Sequence, residues 1–204
     1  MNTSVRRGRP RDFDRDAVLE KAMETFWQRG YEAASLTDLK AAMGINSPSL
    51  YAAFGNKEKL FAEAVAFYLN KYGTYRERAL TAAPTAREGI TALFEQTLNQ
   101  FFNSPSHNGC LVVLAALSGS QDSLPVQEIL NQERRRTAML FAHRLQRGQQ
   151  EGDIAQIANV QILAEYFTTV LFGLTIQVRD GVTHDTLQQV VSLAMQPLNG
   201  IAVI

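Results

Sequence analysis

The sequence predicts an all-α protein: a small N-terminal head of three helices on a larger helical body. Apolar residues recur with the 3.6-residue period of a helix along nearly the whole chain, and no segment sustains a period of two. Capping residues and glycines punctuate that pattern at intervals suited to short helices in the first third and longer ones after it. Of the 204 residues 46% are hydrophobic and 20% charged, enough apolar material for a sizeable core.

Each element follows from local chemistry. Asp14 caps a helix whose Val18, Leu19, Ala22 and Phe26 share one face and which ends at Gly30. Ser35-Leu36-Thr37-Asp38 has capping-box spacing, with Asp38 in place of the usual Glu or Gln. It opens a helix that turns Leu36, Leu39 and Met43 inward and stops at Gly44. A third, short helix takes Asn46 or Ser47 as N-cap, has Pro48 in its first turn and points Leu50 and Phe54 inward. Gly55-Asn56 breaks it, and Lys57 opens a helix to about Tyr72 with Leu60, Ala64 and Phe67 as its stripe. Body helices are expected at about 85–102, 109–117, 124–150, 159–180 and 184–198. The expected division is a basic arm over 1–12, a helix-turn-helix domain over 13–58 and a helical body over 59–204.

Formal net charge is zero, so no global field draws the chain to nucleic acid or membrane. Locally, residues 1–60 carry ten Lys/Arg against eight acids, and Arg6, Arg7, Arg9 and Arg11 stand in a run without an acid among them. Such an arm suits phosphates or a minor groove. One cysteine, Cys110, excludes an internal disulfide framework and fits a reducing cytoplasm. The N-terminus lacks the apolar stretch of a secretory signal. The longest apolar run, Ile162–Val178, is interrupted by Glu165, Thr168, Thr169 and Gln177, which reads as a buried helix and not a membrane span.

The feature that carries function is Ser35 to Phe54 with Gly44 between: two short helices joined by a glycine turn, the layout of a DNA-binding helix-turn-helix. Leu36, Leu39, Ile45, Leu50 and Phe54 lock it inward, which frees Ser47, Ser49, Tyr51, Ala52 and Ala53 to enter a major groove. Ser35 and Thr37 stand at a helix N-terminus that attracts phosphate, and Lys57 offers a second clamp.

Phe26 to Leu60 resembles the DNA-binding head of the tetracycline-repressor (TetR) family. The matching residues are Arg29-Gly30-Tyr31, Ser35-Leu36-Thr37-Asp38-Leu39, Gly44, Leu50-Tyr51, Phe54 and Asn56-Lys57-Glu58-Lys59-Leu60. The resemblance implies a homodimeric transcriptional regulator that reads a pseudo-palindromic operator in double-stranded DNA. An unknown small-molecule effector in its ligand-binding body would release it, as in a repressor. Thr37, Ser49, Tyr51 and Lys57 occupy motif positions that commonly contact DNA, and the arginine arm is similar to arms that enter the minor groove. One departure matters: Ser47-Pro48 stands where many relatives carry a basic residue, and Ala52-Ala53 replaces an aromatic or His, so base preference does not carry over.

Further features are weighed alongside. Cys110, at an expected helix start after His107-Asn108-Gly109, reads either as a redox or electrophile sensor or as a small buried hydrophobe. His107 and Cys110 make two ligands at most, with His143 and His184 far away, so no metal site is expected. No carboxylate pair around a His, nucleophile elbow or phosphate loop occurs, so no enzyme and no cofactor is expected. Arg134-Arg135-Arg136 reads as a solvated face. The apolar helices at about 159–180 and 184–198 have more apolar surface than one stripe can bury, which suits an isologous dimer interface.

Overall fold

The structure, a computed structural model, describes residues 13–103, 109–117 and 119–200. Among them every regular element is a helix. The head consists of α1 (Arg15–Ala33), α2 (Leu36–Met43) and α3 (Ser47–Phe54). After it come α4 (Lys57–Tyr72), α5 (Tyr75–Ala82), α6 (Ala86–Phe102), α7 (Leu111–Leu114), α8 (Leu124–Glu151), α9 (Val160–Arg179) and α10 (His184–Ala194), with 3₁₀ turns at Gln121–Ser123 and Gln196–Asn199.

The caps that mark the head in sequence do their work in space. The Asp14 carboxylate accepts from the Asp16 and Ala17 N–H groups, at 3.1 and 3.2 Å. Asn46, not Ser47, caps α3 by accepting from the Ser49 N–H at 2.9 Å. Gly44 sits at φ 66°, ψ 25°, the left-handed conformation that lets α2 end and the chain turn into α3. Helix α1 breaks at Gly30 as expected, with one further helical turn beyond it. The chain passes through that residue at φ 77°, ψ 171° and resumes helical hydrogen bonding to Ala33.

Helices α1 and α4 pack along one another through aromatic rings. Phe26 meets Phe61 edge to face at 4.9 Å, and Trp27 meets Tyr68 at 4.7 Å. The α4 stripe is therefore Leu60, Phe61, Ala64, Val65 and Tyr68, all buried, whereas Phe67 is only half-buried. Of the stripe expected from sequence Leu60 and Ala64 are buried and Phe67 is not, and the buried face is wider than one stripe because α4 packs on two sides, against α1 and against α8.

Two elements and one side chain of the body depart from the sequence reading. Helix α5 is not predicted at all: Tyr75-Arg76-Glu77-Arg78 looks solvent-facing, yet Tyr75, Arg76, Ala79 and Leu80 are buried as its inner stripe. Helix α7 is a single turn and not a helix over 109–117. Arg134 is not part of a solvated face, since its Nη1 donates to the Val112 carbonyl at 3.0 Å; Arg135 and Arg136 are exposed as expected. Of the body aromatics, Phe94, Phe101, Phe141 and Phe167 are buried, while Phe102 and Tyr166 lie more than a third exposed. Among the described helices α9 alone is long and apolar enough to cross a membrane. Its Ala164, Phe167, Leu171 and Leu174 are buried in the bundle.

The Gly30 backbone lies in a region open essentially to glycine, and a Cβ there would meet the Ala115 carbonyl oxygen at 3.1 Å. Gly30→Ala should therefore cost about 1–3 kcal/mol, read as a lowered midpoint in urea unfolding. An unchanged midpoint would show that the α1 end relaxes freely.

Candidate DNA-binding interface

At the start of α2 the Ser35 hydroxyl accepts from the Asp38 N–H at 3.1 Å and donates to the Asp38 carboxylate at 2.6 Å. The Ser35 N–H donates to the same carboxylate at 3.1 Å. These bonds, with the Arg29 guanidinium 2.8 Å away, hold the Asp38 carboxyl below its usual range. Ser35 is thus occupied in building the helix end. Thr37, in the first turn but making none of these bonds, is exposed.

Helix α3 is anchored from below by Leu50 and Phe54, which are 1% and 3% exposed. Its C-terminal end is strapped by Arg15 of α1. That guanidinium lies 4.6 Å from the centre of the Phe54 ring, donates to the Ala53 carbonyl at 3.3 Å and pairs with Glu63 at 2.6 Å. Anchored this way, the helix presents Pro48, Tyr51 and Ala52 outward, with Ser47, Ser49 and Ala53 half-buried on its flanks. Tyr51 is 49% exposed, a large aromatic face that nothing on the head covers.

Two cations border this face. Lys40 donates from Nζ to the Ser47 hydroxyl at 3.0 Å, so an ammonium sits where α2 hands over to α3. Lys57, at the start of α4, lies over the Tyr31 ring at 4.4 Å. Burial pulls its pKa down, and Glu32 opposes that pull. Lys40 and Arg15 were not singled out in the sequence, because a lone Lys or Arg on a helix gives no periodic signal. Arg6, Arg7, Arg9 and Arg11 lie outside the described residues.

Cys110 is buried, and its Sγ receives a hydrogen bond from Arg76 Nη2 at 3.4 Å. It stands at the N-cap of the single-turn α7, with an arginine beside its sulfur. His107 lies outside the described residues, and among those described no three His, Cys, Asp or Glu side chains gather as a metal site would require.

A helix-turn-helix with an outward second helix, among ten α-helices in the described residues, defines a DNA-binding transcriptional regulator. Comparison with known proteins gives the family. The family model for bacterial regulatory proteins of the tetR family matches residues 18–64. The HTH-type transcriptional repressor ComR of Escherichia coli is 34% identical over 191 residues, covering 93% of this chain and 91% of ComR. The Bacillus subtilis regulator YezE is 27% identical, covering 94% and 100%. Among solved structures, a cysteine-substituted TetR family regulator CifR, bound to 26-base-pair operator DNA, superposes with a TM-score of 0.89 at 49% identity, covering 92% and 98%. The chain belongs to the TetR family of transcriptional regulators.

The structural role of Ser35 separates it from Thr37. Ser35→Ala should remove the cap and cost about 1 kcal/mol of stability, measured by chemical denaturation, while Thr37→Ala should leave the midpoint within error. Equal effects would contradict the capping geometry.

Proposed function

We propose that the protein is a homodimeric repressor that binds a pseudo-palindromic operator and leaves it when a small molecule occupies the body. The observation that carries this reading is the α3 face, with exposed Tyr51 and Ala52 bordered by Lys40 and Lys57. Support also comes from relatives: ComR is named a repressor, and CifR was solved on operator DNA.

In this reading α3 lies in the major groove, where Ser49, Tyr51 and Ala52 meet base edges and backbone. Ser47 acts with Lys40 at the turn, while Thr37 and the free N–H groups of the α2 start, next to Ser35, take a phosphate. Lys57 supplies a second phosphate contact, and Arg6, Arg7, Arg9 and Arg11 of the arm follow the neighbouring minor groove. The head ends near residue 58 and the ligand-binding and dimerisation body follows. The protein works in the cytoplasm, where DNA is accessible, and carries out no reaction of its own.

The dimer face is supplied by α9 and α10. Ile162, Tyr166 and Ile176 of α9 and Val190 and Leu193 of α10 are all exposed, Ile162 and Leu193 by 65% and 62%. The three α9 residues share a helix face with Gly173, where an added Cβ would meet nothing within 4 Å, so another helix can come close. Pairing these helices about a two-fold axis buries the apolar rows and presents two α3 helices about 34–36 Å apart, one turn of DNA.

Two sets of variants test the reading on an operator selected from random duplexes. Tyr51→Phe and Lys57→Ala should weaken binding to all sequences, and Lys57→Ala should flatten the salt dependence by about one phosphate contact. Leu193→Glu should give a folded monomer by light scattering. Losing the second half-site should then weaken operator binding by about 100-fold or more. Unchanged gel shifts for the first pair would refute the placement of α3, and an intact dimer would refute the α9–α10 interface.

A further inference from the structure

Arg76 of α5 carries a buried charge that no described residue answers. It is 8% exposed, and among the described residues no carboxylate is within ion-pair distance of it. Its Nε is buried without a hydrogen-bond partner, and its Nη2 donates at 3.4 Å to Cys110 Sγ, a weak acceptor. The groups that face it are the Cys110 thiol and the Tyr68 and Tyr75 hydroxyls. Burial pushes the Tyr68 phenol well above its usual range, so it stays neutral at physiological pH. Tyr75 is occupied: the Thr97 hydroxyl donates to the Leu93 carbonyl at 2.8 Å, so Tyr75 donates to Thr97, at 2.7 Å. A buried cation without a counter-charge destabilises the fold that holds it. Its place in the wall of an open cleft points to an anion from outside the chain.

The space beside Cys110 is about 10 Å³, room for one water at most. Arg76 also lines a cleft of about 230 Å³, open to solvent between α8 and the corner where α4 turns into α5. Leu69 and Leu140, both half-buried, give that cleft apolar walls, and Asn70 lines it from an exposed position. Its other ionic groups are Glu77, Glu133 and Arg136, two negative charges against one positive. A ligand with a second negative charge would meet net repulsion there. One with a single carboxylate and an apolar remainder finds a cation and two leucines. The volume equals that of roughly eight waters in the liquid and lies below the 300 Å³ or so of a drug-sized site, which suits a small acid.

We propose that this cleft is the effector site, and that its ligand is a small monocarboxylic acid with an aliphatic or aromatic body, bound reversibly as the anion by Arg76. The guanidinium exchanges a weak sulfur acceptor for a charge-assisted, two-pronged bond to the carboxylate. Leu69 and Leu140 take the hydrocarbon. No covalent step is involved.

The cleft is built into the joint beneath the head. The Gly73 N–H donates to the Leu69 carbonyl at 2.8 Å and the Arg76 N–H to the Gly73 carbonyl at 3.2 Å, so Arg76 and the last turn of α4 share one backbone corner. Tyr68, next to Leu69, packs edge to face on Trp27 of α1 at 4.7 Å. A hydrocarbon between Leu69 and Leu140 spreads the end of α4 from α8 beside that ring. At the same time the guanidinium lets go of Cys110, whose neighbour Gly109 accepts from the Trp27 indole N–H at 3.2 Å. Both routes end on Trp27, in the helix that opens the head. The ligand shifts the operator equilibrium by as much as it prefers the spread form.

This inference rests on the regulator reading, and its test separates the two. Hexanoate is titrated into the full-length protein by calorimetry, and affinity for the selected operator is measured with and without it. Hexanoate should fill a single site per chain, with hexan-1-ol and butanedioate weaker by about tenfold or more. At saturation operator affinity should fall by about 5- to 150-fold. Arg76→Met should weaken hexanoate by about tenfold or more, and Arg76→Lys should recover part of the binding. Without ligand the Arg76→Met unfolding midpoint should stay level or rise, as befits removal of an unpaired buried cation. Asn70→Trp, at an exposed position, should obstruct the cleft and weaken hexanoate with the midpoint unchanged. No saturable binding, equal binding of hexan-1-ol or butanedioate, undiminished binding in Arg76→Met, or bound hexanoate without effect on operator affinity would each overturn the proposal. So would a lowered midpoint in Arg76→Met, which would make Arg76 a structural cation. If the protein bound no duplex at all, the regulator reading would fall while the calorimetry still reported on the cleft.

Discussion

The packing of α1 on α4 is the constraint on which the rest of the molecule depends. Helix α1 is at once the first helix of the DNA-binding head and a wall of the body, and the rings at its interface span both. Phe26 packs on Phe61 on the head side, and Trp27 packs on Tyr68 and Tyr72 on the body side, at 4.7 and 5.3 Å. Each such pair contributes about 0.5–1.5 kcal/mol beyond the area it buries. The head therefore does not tilt on a free hinge. It shares α1 with the body, and the end of that helix is tied to the segment around α7.

What the sequence makes legible follows from how local each signal is. The caps at Asp14, Ser35 and Asn46 and the turn at Gly44 act over three or four residues, so the head could be drawn almost to its boundaries. Helix α5 escaped because its decisive residue is Arg76, which buries a charge through partners 21 and 34 positions away, Thr97 by way of Tyr75 and Cys110 directly. Helix α7 looked longer than it is because an apolar run shows burial without showing whether the chain turns. Lys57 was legible as a motif position but not as a cation on Tyr31, and Arg134 as charge but not as a donor to Val112. Interactions within one helical turn are written in the pattern of residues. Those that cross between helices are not.

Electrostatics on the head are local as well. With no net charge over the chain, attraction to DNA rests on where individual cations stand. Lys40 and Lys57 flank α3, and the acids near them are already bound: Asp38 by Ser35 and Arg29, and Glu32 by the backbone and side chain of Ser120, at 2.9 Å each. Those hydrogen bonds hold the Glu32 carboxyl below its usual range, with Lys57 adding to the effect. A carboxylate committed to its own loop stays fixed in position as a phosphate approaches. Glu32 also links residue 120 of the body to the cation at the start of α4, a second tie between body and head beside the two at α7.

The scale of these ties decides how much work a ligand must do. A regulator of this kind needs only 1–3 kcal/mol of coupling between effector and operator, and an effector shifts the balance only by the difference in its affinity for the two conformations. A single internal hydrogen bond is worth about 0.5–1.5 kcal/mol net. Breaking one or two of the bonds from Trp27 to Gly109, from Tyr31 to Ala115 and from Ser120 to Glu32 is therefore a change of the right size. The aromatic seam between α1 and α4 can stay intact while this happens. The two kinds of contact on α1 differ in strength and place: rings hold it along α4, while the backbone carbonyls of Gly109 and Ala115 tie its far end to the body.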